Sequence, residues 1–216
     1  MPLLAGTRLV VLDTETTGMS VAAGHAMVEI ARVLVEDGAV TETWSTLVQP
    51  GRPVAPDATA VHGITDAMVA AAPLPEAVAA ELMLGCGRDA LVFHNAGFDL
   101  PFVQWLLRRA GRAPCWNPVV DTLGLSRGLL ELESHGLEAV ARHLGLPVER
   151  PHRAQGDALT TARVLLALAP RWERERGVRS VAELAAASQD ALRAARRAAA
   201  AKARAAAAAR PAEAAR

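Results

Sequence analysis

The chain holds 216 residues, enough for one domain with a full core plus an appendage; its two cysteines exclude a disulfide-built scaffold, and a reducing cytoplasm is the expected setting. No apolar run reaches the roughly 18 residues of a membrane span. The net charge of zero hides a division, since residues 1–170 carry 12 Lys and Arg against 18 Asp and Glu, a net of −6, while residues 171–216 carry 11 against 5, a net of +6. An acidic body excludes broad tracking of phosphate, so nucleic acid would have to be held by a local pocket, by bound metal or by the basic end.

The chain opens on a strand pattern, where a secretory leader would need a basic start and an apolar run. Arg8 to Thr14 reads as a buried strand, and Met27 to Val35 and Thr41 to Val48 read as two more, joined through the tight turn Asp37-Gly38 into a three-strand meander. The stretch from Pro50 to Pro75 is rich in Pro, Gly and Asp and carries a short helix near Asp66 to Ala71; helical spacing returns from Glu76 to Leu84. Ala90 to Phe93 is a fourth, fully buried strand. A helix follows from Phe98 to Ala110, with Pro101 expected in its first turn and Gly111 just past its end. After a short strand at Val119-Val120, helices are predicted over Leu123 to Leu130, Leu137 to Leu144 and Ala154 to Leu168.

This order predicts an α/β protein, a mixed central sheet flanked by helices on both faces. Beyond Pro170 the texture changes. Residues 181–210 hold 17 alanines with interspersed arginines, a composition that favours helix but offers little to a core. The expected division is a catalytic domain over residues 1–170 and an Ala/Arg-rich basic tail over 171–216, helical or disordered.

Five chemistry-bearing residues fall in three separated motifs: Asp13 and Glu15 in LDTETTG, Asp99 in HNAGFD, and His152 with Asp157 in HRAQGD. Alternation along a strand points Asp13 and Glu15 to one side, at the end where the Thr-Thr-Gly turn begins. Two polar residues solvated at a strand end remain the ordinary alternative. Asp99 follows a strand and opens a helix, where capping free amides is its ordinary role. His152 and Asp157 lie five apart, about 140° on a helix, so His152 is placed on the loop leading into the helix that carries Asp157.

In this order and at these separations, LDTETTG, VHGITD, HNAGFD and HRAQGD resemble the DnaQ-like 3′ to 5′ exonucleases, the DEDDh branch of the ribonuclease H-like fold, over roughly residues 7–170. The proofreading epsilon subunit of bacterial DNA polymerase III typifies that family. The resemblance implies a ribonuclease H-like fold and phosphodiester hydrolysis from a 3′ end, releasing 5′-mononucleotides. It implies metal ligation by Asp13, Glu15, Asp99 and Asp157, and a general base at His152. Two Mg2+ or Mn2+ ions are the implied cofactors, in keeping with hard oxygen ligands. Without metal, four converging carboxylates would raise one another's pKa.

The resemblance also places residues around the terminal nucleotide. Thr16, Thr17 and Gly18 form the turn against it, and Met19 matches an apolar wedge, core filling being its alternative. His62 and Ile64 match pocket-lining positions, with a turn before a helix as the alternative. Phe98 matches a stacking position, although core packing also suits it, and Asn95 is a candidate to fix the site by hydrogen bonds. Asp121, found at this place in the family, is read as structural. The four tryptophans are scattered, and core packing is expected of each. No zinc spacing links the cysteines and the remaining histidines.

The implied substrate is the 3′ end of a nucleic acid, DNA before RNA, with a DNA polymerase subunit as a candidate partner and no membrane. Two alternatives stay open: a 3′ to 5′ exoribonuclease of the oligoribonuclease or ribonuclease T type, and a noncatalytic module that binds a polymerase or a nucleic-acid end.

Overall fold

A computed structural model describes residues 2–149 and 151–209. Its centre is a five-stranded sheet in the order β3-β2-β1-β4-β5, made of β1 (Arg8–Thr16), β2 (Met27–Glu36), β3 (Ala39–Leu47), β4 (Ala90–Phe93) and β5 (Val119–Asp121). The first three strands form the antiparallel meander, and β4 and β5 continue from β1 in parallel. The turn from β2 to β3 carries positive φ at Asp37 (53°) and Gly38 (77°), which suits the twist of a two-residue hairpin.

Period-two alternation divides β1 between two cores. Leu9 and Val11 face one, Val10 and Leu12 the other. On the first face lie α5 (Thr122–Leu129), α6 (Leu137–His143), α7 (Ala154–Arg176) and α8 (Val181–Ala209); on the second lie α3 (Pro75–Cys86) and α4 (Ala96–Arg109). Two short helices, α1 (Pro56–His62) and α2 (Asp66–Val69), cover a third cluster of Val28, Val54, Ile64 and Val69. The expected mixed sheet with helices on both faces is therefore present. Among the described residues no helix is long and apolar enough to cross a membrane.

Several elements differ from expectation. The helix α1 was not predicted, although Pro56 at its first position and Gly63 in the left-handed conformation after it mark both ends. Helix α4 begins at Ala96 because Asp121 accepts from the amides of Asn95 and Ala96, so Pro101 falls in the second turn. Trp116 is exposed where core packing was expected.

The expected boundary at residue 170 lies inside α7, which continues to Arg176. Nor is the alanine-rich segment without a core: Leu184, Ala185, Ser188 and Leu192 of α8 are buried. Small residues make this possible, because Gly124 lets α5 approach so closely that a Cβ there would overlap the Ser188 carbonyl. The Ser188 hydroxyl in turn accepts from the Asp121 amide at 3.1 Å. Residues 210–216 of the expected tail lie outside the described residues.

Candidate active site

Asp13 and Glu15 emerge at the carboxyl end of β1 on the face covered by α7, and the first turn of α7 brings Asp157 to them. One carboxylate oxygen from each of the three lies within 4.8 Å of the others. The start of α7 is held there by Glu29, which pairs with Glu15 across β1 and β2. Its carboxylate accepts from the Arg153 guanidinium (Nε, 3.0 Å) and from the Ala154 amide (3.0 Å). Burying this anion is tolerable because a cation and a helix N-terminus both meet it. Glu29 and Arg153 escaped the sequence reading; a glutamate inside the apolar run MVEIARVLV was the available signal.

Asp99 is buried at the start of α4, outside that group of three but close enough for its charge to act on Asp13. Its Oδ1 accepts from the Thr14 amide at 3.0 Å and hydroxyl at 2.7 Å, tying the first turn of α4 to the strand that carries Asp13 and Glu15. The ordinary alternative, capping its own helix, belongs instead to Asp121, which holds the amides of Asn95 and Ala96 at 2.9 Å each.

His152 is exposed on the loop before α7, as the five-residue spacing required, with a positive φ of 56°. Its amide donates to Asp157 Oδ2 at 3.0 Å, so the loop and the helix carboxylate move together.

Crowding has an electrostatic consequence. Burial first, and then the charges of Asp99, Asp157, Glu15 and Glu29, hold Asp13 well above the usual carboxylate range. Glu15 is pushed up to about 8 by burial, with Asp157, Glu29 and Asp99 adding to it. Asp99 rises to about 7 through burial, against the lowering effect of its Thr14 hydrogen bonds, and burial raises Asp157 as well. Hard oxygen donors with surplus negative charge and mutual repulsion fit a divalent cation, whose charge would reverse each of these shifts.

A cleft of about 420 Å³ opens beside the cluster, lined by Glu15, Thr16, Thr17, Gly18, Met19, His62 and Phe98 among others. Met19 is 79% exposed at its rim, so it fills no core. The Thr17 hydroxyl accepts from the Ala26 amide and faces His25 Nδ1, while the Thr16 hydroxyl donates to the Gly18 carbonyl. These bonds pin the turn, and Gly18 is needed because a Cβ there would strike the His25 ring.

His62 is buried as the last residue of α1. The Ile64 amide donates to its Nδ1, which fixes the proton on Nε2, and that nitrogen donates to the Thr16 carbonyl at 3.2 Å. Burial lowers its pKa and favours this neutral form. Ile64 is wholly buried with Val28, Val54 and Val69, packed in the core where a pocket wall was expected. Phe98 packs its ring 5.5 Å from Phe102, as core packing required, and also lines the cleft. Asn95 is left-handed (φ 74°), and its backbone amide donates to Asp121, not to a residue of the carboxylate cluster.

A sequence model of a family described as exonuclease matches residues 10–165. The chain belongs to the exonuclease family. This exonuclease-family chain is 42% identical over 166 residues to a DNA polymerase III subunit epsilon-like protein of Rhodobacter capsulatus, across 74% of its own length and 23% of that protein's. It is 34% identical over 157 residues to a PolC-type DNA polymerase III of Thermotoga petrophila, of which it covers 11%. The chain thus spans a quarter or less of these two curated relatives. Among solved structures, Exonuclease X in complex with 5′-overhanging duplex DNA superposes with a TM-score of 0.66 at 31% identity, over 83% of this chain and 99% of that one. Escherichia coli Exonuclease I shares the fold, with a TM-score of 0.70 at 19% identity over 79% of this chain and 43% of that one.

Proposed function

We propose that this protein is a metal-dependent 3′ to 5′ exonuclease that removes 5′-mononucleotides from the 3′ end of DNA in proofreading or repair. The observation that carries the proposal is the convergence of Asp13, Glu15 and Asp157 within 4.8 Å beside an open cleft with apolar walls. Family membership supports it, as does the likeness to Exonuclease X, a structure with bound DNA.

Asp13, Glu15 and Asp157, with Asp99 beside them, would hold the cations, two Mg2+ or Mn2+ ions. When bound, such ions supply positive charge to the scissile phosphate and to the departing 3′ oxygen. His152 accepts a proton from the attacking water at an imidazole nitrogen, and its exposed loop position gives it access. Water oxygen bonds to phosphorus, the bond from phosphorus to the 3′ oxygen breaks, that oxygen takes a proton from solvent, and the products are a 5′-mononucleotide and a strand with a new 3′ hydroxyl. Thr16, Thr17 and Gly18 form one wall against the terminal nucleotide, Met19 and Phe98 offer apolar surface to its base, and His62 fixes the turn through the Thr16 carbonyl. In this assignment residues 1–170 supply the chemistry and the segment after them supplies support.

The names of the polymerase III relatives support a cytoplasmic setting in replication, with a polymerase subunit as partner. The deciding experiment digests matched 5′-labelled DNA and RNA oligonucleotides with Mg2+ or Mn2+. Single-nucleotide shortening of the DNA, faster than of the RNA and stopped by EDTA, is the expected outcome. Faster RNA shortening would transfer the proposal to an exoribonuclease, and no shortening of either would leave a binding module.

A further inference from the structure

A second cleft, of about 520 Å³, lies on the far side of Met19 and Phe98 from the first and shares both residues with it. Its other walls include Ser20, Asn95, Gly97 and Pro101, and among the described residues its one cation is Arg196 of α8. The two clefts therefore meet across the Met19 and Phe98 ridge. Among the described residues, the cleft beside the carboxylates is lined by no Lys or Arg, and Asp57 adds a second carboxylate to Glu15. Bound cations would serve the scissile phosphate, but the phosphates further up a polyanionic strand meet an acidic body, and the neighbouring cleft offers them a cation.

Helix α8 is built to deliver that cation. Leu184, Ser188 and Leu192, four residues apart, are buried against the body, and Arg196 is the next residue of the same stripe. The stripe runs off the end of the packed surface at the start of α4, where a Cβ built on Gly97 would stand 3.7 Å from Arg196 Nη2. Arg196 itself is exposed and takes part in none of the ion pairs found among the described residues, whereas Arg193 pairs with Asp190. Its guanidinium is thus free for a ligand, and a planar fork of donors over an open trough suits a phosphodiester oxygen.

We propose that Arg196 binds a backbone phosphate of the substrate strand upstream of its terminal nucleotide, making α8 part of the nucleic-acid track. The inference rests on the exonuclease proposal and specifies how that site holds a longer strand. A dinucleotide has only its scissile phosphodiester and so no upstream phosphate for Arg196, whereas a single strand of about ten nucleotides supplies one.

The test measures KM and kcat of the full chain with Mn2+ on a DNA dinucleotide and on a single-stranded DNA of about ten nucleotides. Arg196→Ala should raise the KM for the long strand about fivefold more than that for the dinucleotide, and should make the long strand's log KM less dependent on log salt by about 0.7. Arg204→Ala, eight residues or about two turns further along α8 and outside either cleft, should behave as wild type, and circular dichroism should report equal helix content in both variants. Equal KM changes on the two substrates, or the same change in Arg204→Ala, would overturn the role of Arg196. Failure of the wild-type protein to cleave either substrate would instead strike at the exonuclease proposal.

Discussion

At the residue scale, the carboxylate cluster opposes function to stability. Asp157→Asn keeps the shape of the side chain and an oxygen for the His152 amide, but removes one charge from a site where burial and repulsion penalise each charge. The variant should lose at least about 10²-fold in turnover. In EDTA its melting temperature should rise by about 2–4 °C, the size expected for about 1 kcal/mol in a chain of this length. A parallel fall in both activity and EDTA-state stability would mean that Asp157 holds the fold. Glu29 makes the reverse case, since its charge is matched. Glu29→Gln should weaken the grip on Arg153 and cost about 2 kcal/mol in urea unfolding, with activity lost because α7 no longer presents Asp157 correctly.

At the element scale, α8 is fastened by close approach more than by apolar bulk. Gly124→Ala would drive a methyl group into the Ser188 carbonyl and should cost about 1–3 kcal/mol as overpacking, read by chemical denaturation. It should also move Arg196 from its cleft, so its KM for long strands should rise. Unchanged stability would mean that α5 and α8 separate freely. The same contact explains why the packing of this helix against the body was hard to foresee. Two leucines eight apart amid alanine look too sparse for a core, and only the spatial neighbour Gly124 turns small residues into an advantage. The strands were easier, because runs such as RLVVLDT and ALVF are apolar on both faces and admit few other placements. Helix α1 was legible through Pro56 and Gly63 but was lost among the surrounding prolines and glycines.

The candidate site divides along the same line. That Asp13 and Glu15 share a face followed from strand periodicity, and that His152 sits on a loop followed from helical geometry. The burial of Ile64 did not follow, since whether an apolar residue beside a motif turns outward or inward depends on Val28, Val54 and Val69, distant in sequence. Likewise Glu29 stands out only as a charge inside an apolar run, and its role depends on where Arg153 lands.

At the scale of the whole molecule, the acidic site couples folding to pH and to metal. Asp13, Glu15 and Asp99 have folded-state pKa values above their unfolded ones, so their contribution favours the fold fully below the ordinary carboxylate range, near pH 4, and is lost as pH rises, through about 7 for Asp99 and about 8 for Glu15. The EDTA-treated protein should therefore lose melting temperature between pH 5 and 8.5, and saturating Mn2+ should restore more of it at pH 8.5 than at pH 6. A flat EDTA profile would show that the carboxylates do not repel one another as their placement demands.

The most direct measurement titrates Mn2+ into the protein by calorimetry at pH 7 in two buffers of different ionisation enthalpy. Wild-type protein should bind the ion and release protons as the raised carboxyls ionise, and Asp13→Asn should bind far more weakly and release fewer. Mn2+ binding of equal strength in the two proteins, with no proton release, would contradict the assignment of these acidic side chains to a cation.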